Sequence, residues 1–341
     1  MQSIIVTGGA GYIGSHTIIE LLQKTDLHVI SIDNFSNSNA TAYDRIRDIT
    51  GKSFDTINLN LCDQAALDKH LSDYTNIAGI IHFAAFKSVP QSMADPLLYY
   101  HNNIISLGNL LQFAKQNSIR NFIFSSSCSV YGNASELPVT EETPLQKSES
   151  PYGHTKRIGE EIIEFFCNAN PDINVVMLRY FNPVGAHITG KNGELPITKP
   201  NNLVPIITQT AVGKNALTVF GSDYNTRDGF CIRDYIHVSD IADAHLKAFE
   251  FLNQRRNPNS VSVFNLGTGN GVSVMEAIKS FERVSGLKLP YTIGGRRAGD
   301  IVEVYANNSK AKQLLGWEPK YSLDDMMLSA WKWQQNIEKG L

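Results

Sequence analysis

Two hydrophobic periods alternate along the first half of the chain. Short apolar runs at residues 4–7, 28–33, 54–59, 79–84 and 121–126 have the length and the flanking turn residues of strands. Residues 12–24, 63–71 and 96–117 instead space their apolar positions three and four apart, as helices do. The stretch from residue 34 to Gly51 is polar and predicts no element of its own. Strand and helix in steady repetition predict parallel strands joined by crossover helices, so an α/β sheet wrapped on both faces.

After Pro151 the pattern loosens. A helix is predicted to about residue 168 and a strand over 173–181, followed by a Gly-, Pro- and Asn-rich segment, 182–202, that reads as a ligand-facing insertion. Further helices are predicted over 203–212, 239–251 and 273–284, the last with Ser273 as N-cap and Glu276 three residues on. The expected organisation is a nucleotide-binding unit over 1–180, rejoined by roughly 234–266, and a mainly substrate-binding part over 181–341.

Composition narrows the class. A chain of 341 residues, 42% hydrophobic and 18% charged, is an ordinary globular protein of about two folding units. Its 30 basic and 33 acidic residues balance to a formal charge of -3, which gives no bias toward nucleic acid or an anionic membrane. No run of 18 apolar residues predicts a membrane span, and the N-terminus lacks the basic and apolar regions of a secretory signal. Cys62, Cys128, Cys167 and Cys231 lie 39 or more residues apart, without the short spacing of zinc or redox pairs. A reduced cytoplasmic protein is expected.

Candidate chemistry begins at the first turn. Gly8, Gly11 and Gly14 lie between the first strand and the first helix, in Thr7-Gly-Gly-Ala-Gly-Tyr-Ile-Gly14. Glycines there allow a tight turn and close approach of backbone N–H groups to a pyrophosphate at the helix N-terminus. Asp33 ends the second strand, 19 residues after Gly14, where a carboxylate accepts from both ribose hydroxyls and repels a 2′-phosphate. Residues 34–39 contain no Arg or Lys, so NAD is preferred to NADP. The doubly wound sheet is therefore expected to be of Rossmann type, with a smaller mixed α/β C-terminal part.

Tyr152 and Lys156 stand four apart at the start of a predicted helix, on one face. Ser127 lies 25 residues earlier, just beyond the end of the predicted strand, at the edge where open parallel sheets bind ligands. A phenol beside an ammonium and a positive nicotinamide can exchange a proton with a sugar hydroxyl near neutral pH, with Ser127 orienting the same oxygen.

From TGGAGYIGSH through DNFSNS, FSSSCSVYG, SPYGHTK, LRYFNPVGAH, NNLVP, RDYIHVSDIADAH and NLGTG to RRAGD and LGW, the chain resembles the extended short-chain dehydrogenase/reductases, and within them the UDP-glucose 4-epimerases. The resemblance implies inversion at carbon 4 of a UDP-hexose through a 4-keto sugar, with NAD as cofactor. Gly8, Gly11, Tyr12, Ile13 and Gly14 would hold the pyrophosphate and Asp33 the adenosine ribose, with Asn34, Asn37 and Ser38 nearby. Asn60, Leu61, Phe83, Ala84, Lys87 and Asn102 would line the cofactor further along, and Tyr180 its nicotinamide end. Tyr152 would be the catalytic acid and base, Lys156 its electrostatic partner and nicotinamide-ribose ligand, and Ser127 its hydrogen-bonding companion, all three at the cofactor. For the UDP-sugar, the resemblance implies Lys87, Ser127 and Tyr152 among its contacts, with Phe181 and Asn182 beside the sugar. Asn202 and Leu203 would flank the diphosphate, Thr218, Val219 and Phe220 the uracil, and Arg233, Arg297 and Asp300 complete the set.

Two departures stand out. Asn60 occupies a position where the family usually has an Asp facing the adenine, and Val304 a pocket-wall position where some members carry Tyr and others a small residue. The resemblance also implies a homodimer through a four-helix bundle built from 96–117 and 152–168. A nucleotide-sugar 4,6-dehydratase would begin with the same oxidation but needs carboxylic acids after the hydroxyl residue, where this chain has Cys128 and Ser129. A catalytically silent NAD-sensing module is a further alternative, disfavoured by the intact Ser127, Tyr152 and Lys156. No spacing among the nine His residues predicts a metal site.

Overall fold

The computed structural model describes residues 2–197, 200–254, 259–297 and 301–341. In chain order its strands are β1 (Ser3–Thr7), β2 (His28–Asp33), β3 (Asp55–Asn58), β4 (Ile77–His82), β5 (Asn121–Ser127), β6 (Asn174–Tyr180), β7 (Asn182–Val184), β8 (Leu217–Phe220), β9 (Ile232–His237), β10 (Val261–Leu266), β11 (Gly271–Ser273), β12 (Tyr291–Gly294) and β13 (Glu303–Val304). The helices are α1 (Tyr12–Lys24), α2 (Thr41–Thr50), α3 (Gln64–Leu71), α4 (Val89–Ala94), α5 (Pro96–Gln116), α6 (Pro151–Ala169), α7 (Leu203–Ala211), α8 (Val238–Asn253), α9 (Val274–Ser285) and α10 (Leu323–Glu338).

Seven strands form one parallel sheet in the order β10-β6-β5-β4-β1-β2-β3, the Rossmann-type arrangement that the alternating pattern predicts. Both faces are buried because successive residues point to opposite sides. Ile4, Val6, Val176 and Leu178 face α1 and α8 with Ile18, Leu21, Ile241 and Phe249. Ile5, Val175 and Met177 face α5 and α6 with Leu107, Leu110, Phe113 and Ile163. Each such fully buried side chain contributes on the order of 1.5–3 kcal/mol.

Smaller sheets complete the molecule. In one, β9 pairs with β7, β11 and β13, and in another β8 pairs with β12. Their core is a separate cluster around Val204, Ile207, Val219, Phe281, Met326 and Met327. The predicted helices over 203–212, 239–251 and 273–284 fall on α7, α8 and α9, the last with the Ser273–Glu276 capping box formed.

The polar stretch after β2 differs from expectation. It contains α2, which buries Ala42, Tyr43 and Ile46 and ends on Gly51 in the left-handed region (φ 65°). Three apolar contacts suffice there because α2 packs at the margin of the sheet, against α1. Helix α6 starts where its local sequence dictates: Pro151 occupies the first turn and Ser150 Oγ accepts from Gly153 N at 3.2 Å. That start places Tyr152 and Lys156 in the first two turns, over the C-terminal ends of β5 and β6.

Candidate active site

The glycine turn is a close-packed crook. Gly8 has φ +70°, and a Cβ there would lie 2.7 Å from Ala84 N; one on Gly14 would lie 2.3 Å from Gly8 O. Gly11 N–H donates to Gly8 O at 3.0 Å, and α1 begins with no side-chain cap on its first turn. Tyr12 OH reaches across to donate to Gly185 O at 2.6 Å, while Ile13 packs on the core. Asp33 closes the crook: Oδ2 accepts from Ala10 N at 3.0 Å, and Oδ1 from Phe35 N at 2.9 Å and Ser38 Oγ at 2.7 Å. A carboxylate has about four acceptor positions, so one remains beyond these three. Asn34 and Asn37 are exposed on the following turn. The donor set and the space that only glycine leaves fit a dinucleotide with free ribose hydroxyls.

Ser127 and Tyr180 are register partners at the ends of β5 and β6. Tyr152 is hydrogen-bonded to Ser127, and burial pushes its hydroxyl up to about 12 despite that bond. Burial moves Lys156 the opposite way, to about 8, because its charged form is the protonated one. Lys156 Nζ donates to Ser125 O at 2.6 Å and lies 5.0 Å from the Phe124 ring. Tyr180 is hydrogen-bonded to Ser125, and burial raises its hydroxyl too. Phe83 and Tyr180 flank the ring of His245 at 4.5 and 6.0 Å. Ala84 N–H points to Thr7 Oγ1 at 3.4 Å.

The remaining sequence-derived residues divide. Lys87 and Asn202 meet on one carboxylate, Glu194, at 2.9 and 3.2 Å, with Leu203 opening α7 beside Asn202. Val304 is buried in one cluster with Phe181, Val130 and Tyr131, and Cys128 packs against it. Val304 is also the register partner of Arg233, whose positive charge favours the thiolate of Cys128, though burial keeps that thiol up at about 12. Asn182 opens β7, next to Phe181. Thr218 and Phe220 face outward from β8 while the Val219 side chain is in the core, and the Arg297 guanidinium lies 5.8 Å over the Phe220 ring. Asp300 lies outside the described residues.

Asn60 accepts from Cys62 N within its own turn, Leu61 is buried in the core under β3, and Asn102 donates to Asn103.

Sequence pattern alone does not single out four residues that build the site. Asn103 ties Phe86 to Thr155, and Glu194 gathers Lys87 and Asn202. Asp234 accepts from Thr268 N, Thr268 Oγ1, Gly269 N and Ala306 N, fixing β9 beneath Arg233. Glu160 is paired with Arg179 in the interior. The one advance signal is Glu160, four residues after Lys156 on the same helix face. Among the described residues no group of three or more His, Cys, Asp or Glu could hold a metal, and no helix is long and apolar enough to cross a membrane.

Known proteins resemble the chain over its full length. The family described as GDP-mannose 4,6 dehydratase matches residues 5–329. A UDP-glucose 4-epimerase of Bacillus subtilis (strain 168) is 45% identical over 340 residues, 99% of this chain and 98% of that protein. The crystal structure of UDP-glucose 4-epimerase from Bifidobacterium longum, in complex with NAD+ and UDP, covers 100% of both chains with a TM-score of 0.94 and 43% identity. That of the Stenotrophomonas maltophila enzyme, with bound NAD and formylated UDP-arabinopyranose, also covers 100% of both, with a TM-score of 0.95 and 40% identity.

Proposed function

We propose that this chain, which belongs to the UDP-glucose 4-epimerase family, interconverts UDP-glucose and UDP-galactose by inverting sugar carbon 4. The observation that carries the reading is the convergence of Ser127, Tyr152 and Lys156 at the sheet edge that also bears the glycine crook. NAD, when bound, supplies reversible two-electron chemistry at carbon 4, removing a hydride and returning it. The chain's own residues do the rest. The crook at Gly8, Gly11 and Gly14 and the open first turn of α1 receive the pyrophosphate, and Asp33 the adenosine ribose.

Tyr152 takes the proton of the 4-hydroxyl and returns it on the other face of the sugar, so no second acid is needed. Its hydroxyl stands at about 12, raised by burial even with the Ser127 hydrogen bond in place, so the ammonium of Lys156 must favour the phenolate once the site is filled. Turning the 4-keto sugar over requires firm hold on UDP and few contacts to the hexose. On this reading Arg233, Arg297 and Asn202 hold the diphosphate, and Thr218 and Phe220 flank the uracil. Near the sugar stand Phe181, Asn182 and Val304, all neutral.

Elimination is disfavoured although the matching family description names a dehydratase. The residues after Ser127 are Cys128, held as the thiol, and Ser129. The protein as purified is expected to release NAD on denaturation, because the reaction regenerates the cofactor in each cycle. It should also convert UDP-galactose without added reductant. If activity after exhaustive dialysis depended wholly on millimolar NAD, cofactor retention would be wrong.

Three finer readings accompany this one. The short Val304 leaves room for an acetamido group at carbon 2, so UDP-N-acetylhexosamines should also turn over. A homodimer is supported by apolar side chains exposed together on α4, α5 and α6: Met93 at 62%, Leu97 at 76%, Ile105 at 41% and Phe165 at 77%. Light scattering at micromolar concentration decides it, since a 37.8 kDa particle would refute the dimer. Four unpaired cysteines suit a reducing compartment, the cytoplasm.

A further inference from the structure

Behind the Tyr152–Lys156 face lies a buried ion pair. Glu160, one helical turn past Lys156 on α6, is 3% exposed, and Arg179 on β6 is 5% exposed. The contact is bidentate: Arg179 Nε donates to Glu160 Oε1 at 2.9 Å and Nη2 to Oε2 at 2.6 Å. Ser126 Oγ donates to the same Oε1. On its far side Arg179 Nη1 donates to Tyr131 OH at 3.0 Å, and Tyr131 OH to Asn265 Oδ1 at 2.6 Å.

Each anchored residue adjoins one that the proposed reaction uses. Ser126 precedes Ser127, Arg179 precedes Tyr180, and Glu160 stands one and two turns from Lys156 and Tyr152. A buried ion pair is by itself weak evidence for stability, because desolvation offsets much of its attraction. We propose that Glu160 is a positioning residue of the site: it fixes α6 and the ends of β5 and β6 to one buried point and turns its carboxyl group toward the helix turn that carries Lys156.

The groups around Lys156 agree with this. From α6, Glu160 favours the ammonium against burial, which otherwise lowers it to about 8. From β4, His82 feels the Lys156 charge and is held neutral, its own value pushed down to about 3 mainly by burial. From β5 come only a carbonyl, Ser125 O, and the Phe124 ring. On β6, Arg179 is spent on Glu160 and Tyr180 is a neutral phenol, raised by burial. Tyr152 is raised likewise, and Glu164, one turn beyond Glu160, is shifted toward its neutral form by burial and by Glu160 itself. Loss of the Glu160 charge therefore removes the main support of the ammonium.

The inference rests on the proposed reaction for its consequence, but its first test needs no turnover. Glu160→Gln leaves Arg179 buried and unpaired, so it is made both alone and as Glu160→Gln/Arg179→Met, which removes both charges at similar volume. Lys156 is titrated in the NAD-loaded protein by the ¹³Cε resonance of labelled lysine, assigned against Lys156→Met. The expected result is a fall of about one pH unit in the Lys156 midpoint in Glu160→Gln and a smaller fall in the double variant, where loss of the Arg179 charge partly offsets loss of the Glu160 charge, with Glu160→Asp keeping the native midpoint. With UDP-galactose, the alkaline limb of kcat should fall by the same amount while KM stays within about threefold.

An unchanged Lys156 midpoint in a folded variant overturns the proposal, and so does loss of fold in both variants, which would make Glu160 a folding residue only. A wild-type protein inert toward UDP-galactose would instead defeat the epimerase reading, with the Lys156 titration still deciding this one.

Discussion

The seven-stranded sheet and the smaller C-terminal sheets reach order by different means. In the large sheet, strands of four to seven residues repeat one parallel register, and the site residues come at the strand ends almost as a by-product. In the C-terminal part, β11 and β13 are three and two residues long, and single buried side chains do the fixing. Asp234 joins β9 to the loop after β10 and to the chain after β13, through four hydrogen bonds. Distributed register should tolerate single losses. A fastening at one carboxylate should not.

The largest effect is expected where the chemistry itself is concentrated. Tyr152→Phe should keep the fold and NAD while kcat falls by roughly 10² to 10⁴, the usual contribution of a general acid and base. Near-normal conversion by a folded variant would remove Tyr152 from the reaction. Asp234→Ala then breaks the comparison on its weak side. It strands three backbone N–H groups and a hydroxyl, at about 1–3 kcal/mol for each that stays buried. KM for the UDP-sugar should rise and thermal stability fall, while NAD stays bound to the intact sheet. Equal loss of NAD and substrate binding would show that the two regions are not held independently.

Val304→Tyr sharpens the comparison within the C-terminal pocket wall. It should suppress UDP-N-acetylhexosamine turnover by about 5- to 150-fold relative to UDP-glucose and UDP-galactose, from a steric cost of about 1–3 kcal/mol. Steady-state kinetics on both substrate pairs decides it, and equal suppression of both would count against a pocket wall at Val304.

The smallest effect per residue is a pH dependence shared by both regions. Burial lowers His16 and His82 to about 3 and His237 and His245 to about 4, so each stays neutral in the folded state. The unfolded chain takes up these protons near pH 6.5. The corresponding stability is therefore complete above that pH and is lost as pH falls toward 4, by about 1 kcal/mol per histidine near pH 5.5. Thermal melts should drop steadily from pH 7 to 5; a flat profile would mean that these rings are not held neutral.

Legibility from sequence followed the same divide. Helix spacing puts Tyr152 and Lys156 on one face whatever the rest of the chain does, and a glycine turn between strand and helix has few other uses, so both could be read locally. The alternation of Ile4, Ile5 and Val6 between two faces likewise follows from the strand period. Helix α2 was not legible because its apolar stripe, Ala42, Tyr43, Ile46 and Ile49, though helically spaced, lies among so many polar residues that the segment as a whole reads as a loop. Strands β11 and β13 are too short to carry a period at all. Glu160 reads as an ordinary helix carboxylate until Arg179 is placed beside it. Long-range polar partners leave no local trace.

The most direct test of the epimerase reading follows one hydrogen. UDP-glucose carrying deuterium at carbon 4 is incubated with the purified protein, and the products are examined by NMR and mass spectrometry. The expected result is UDP-galactose with the deuterium still at carbon 4 and the hydroxymethyl group intact, since the same hydrogen leaves and returns while Tyr152 handles only the hydroxyl proton. Deuterium at carbon 6 of a 4-keto-6-deoxy sugar, or washed out to solvent, would contradict it.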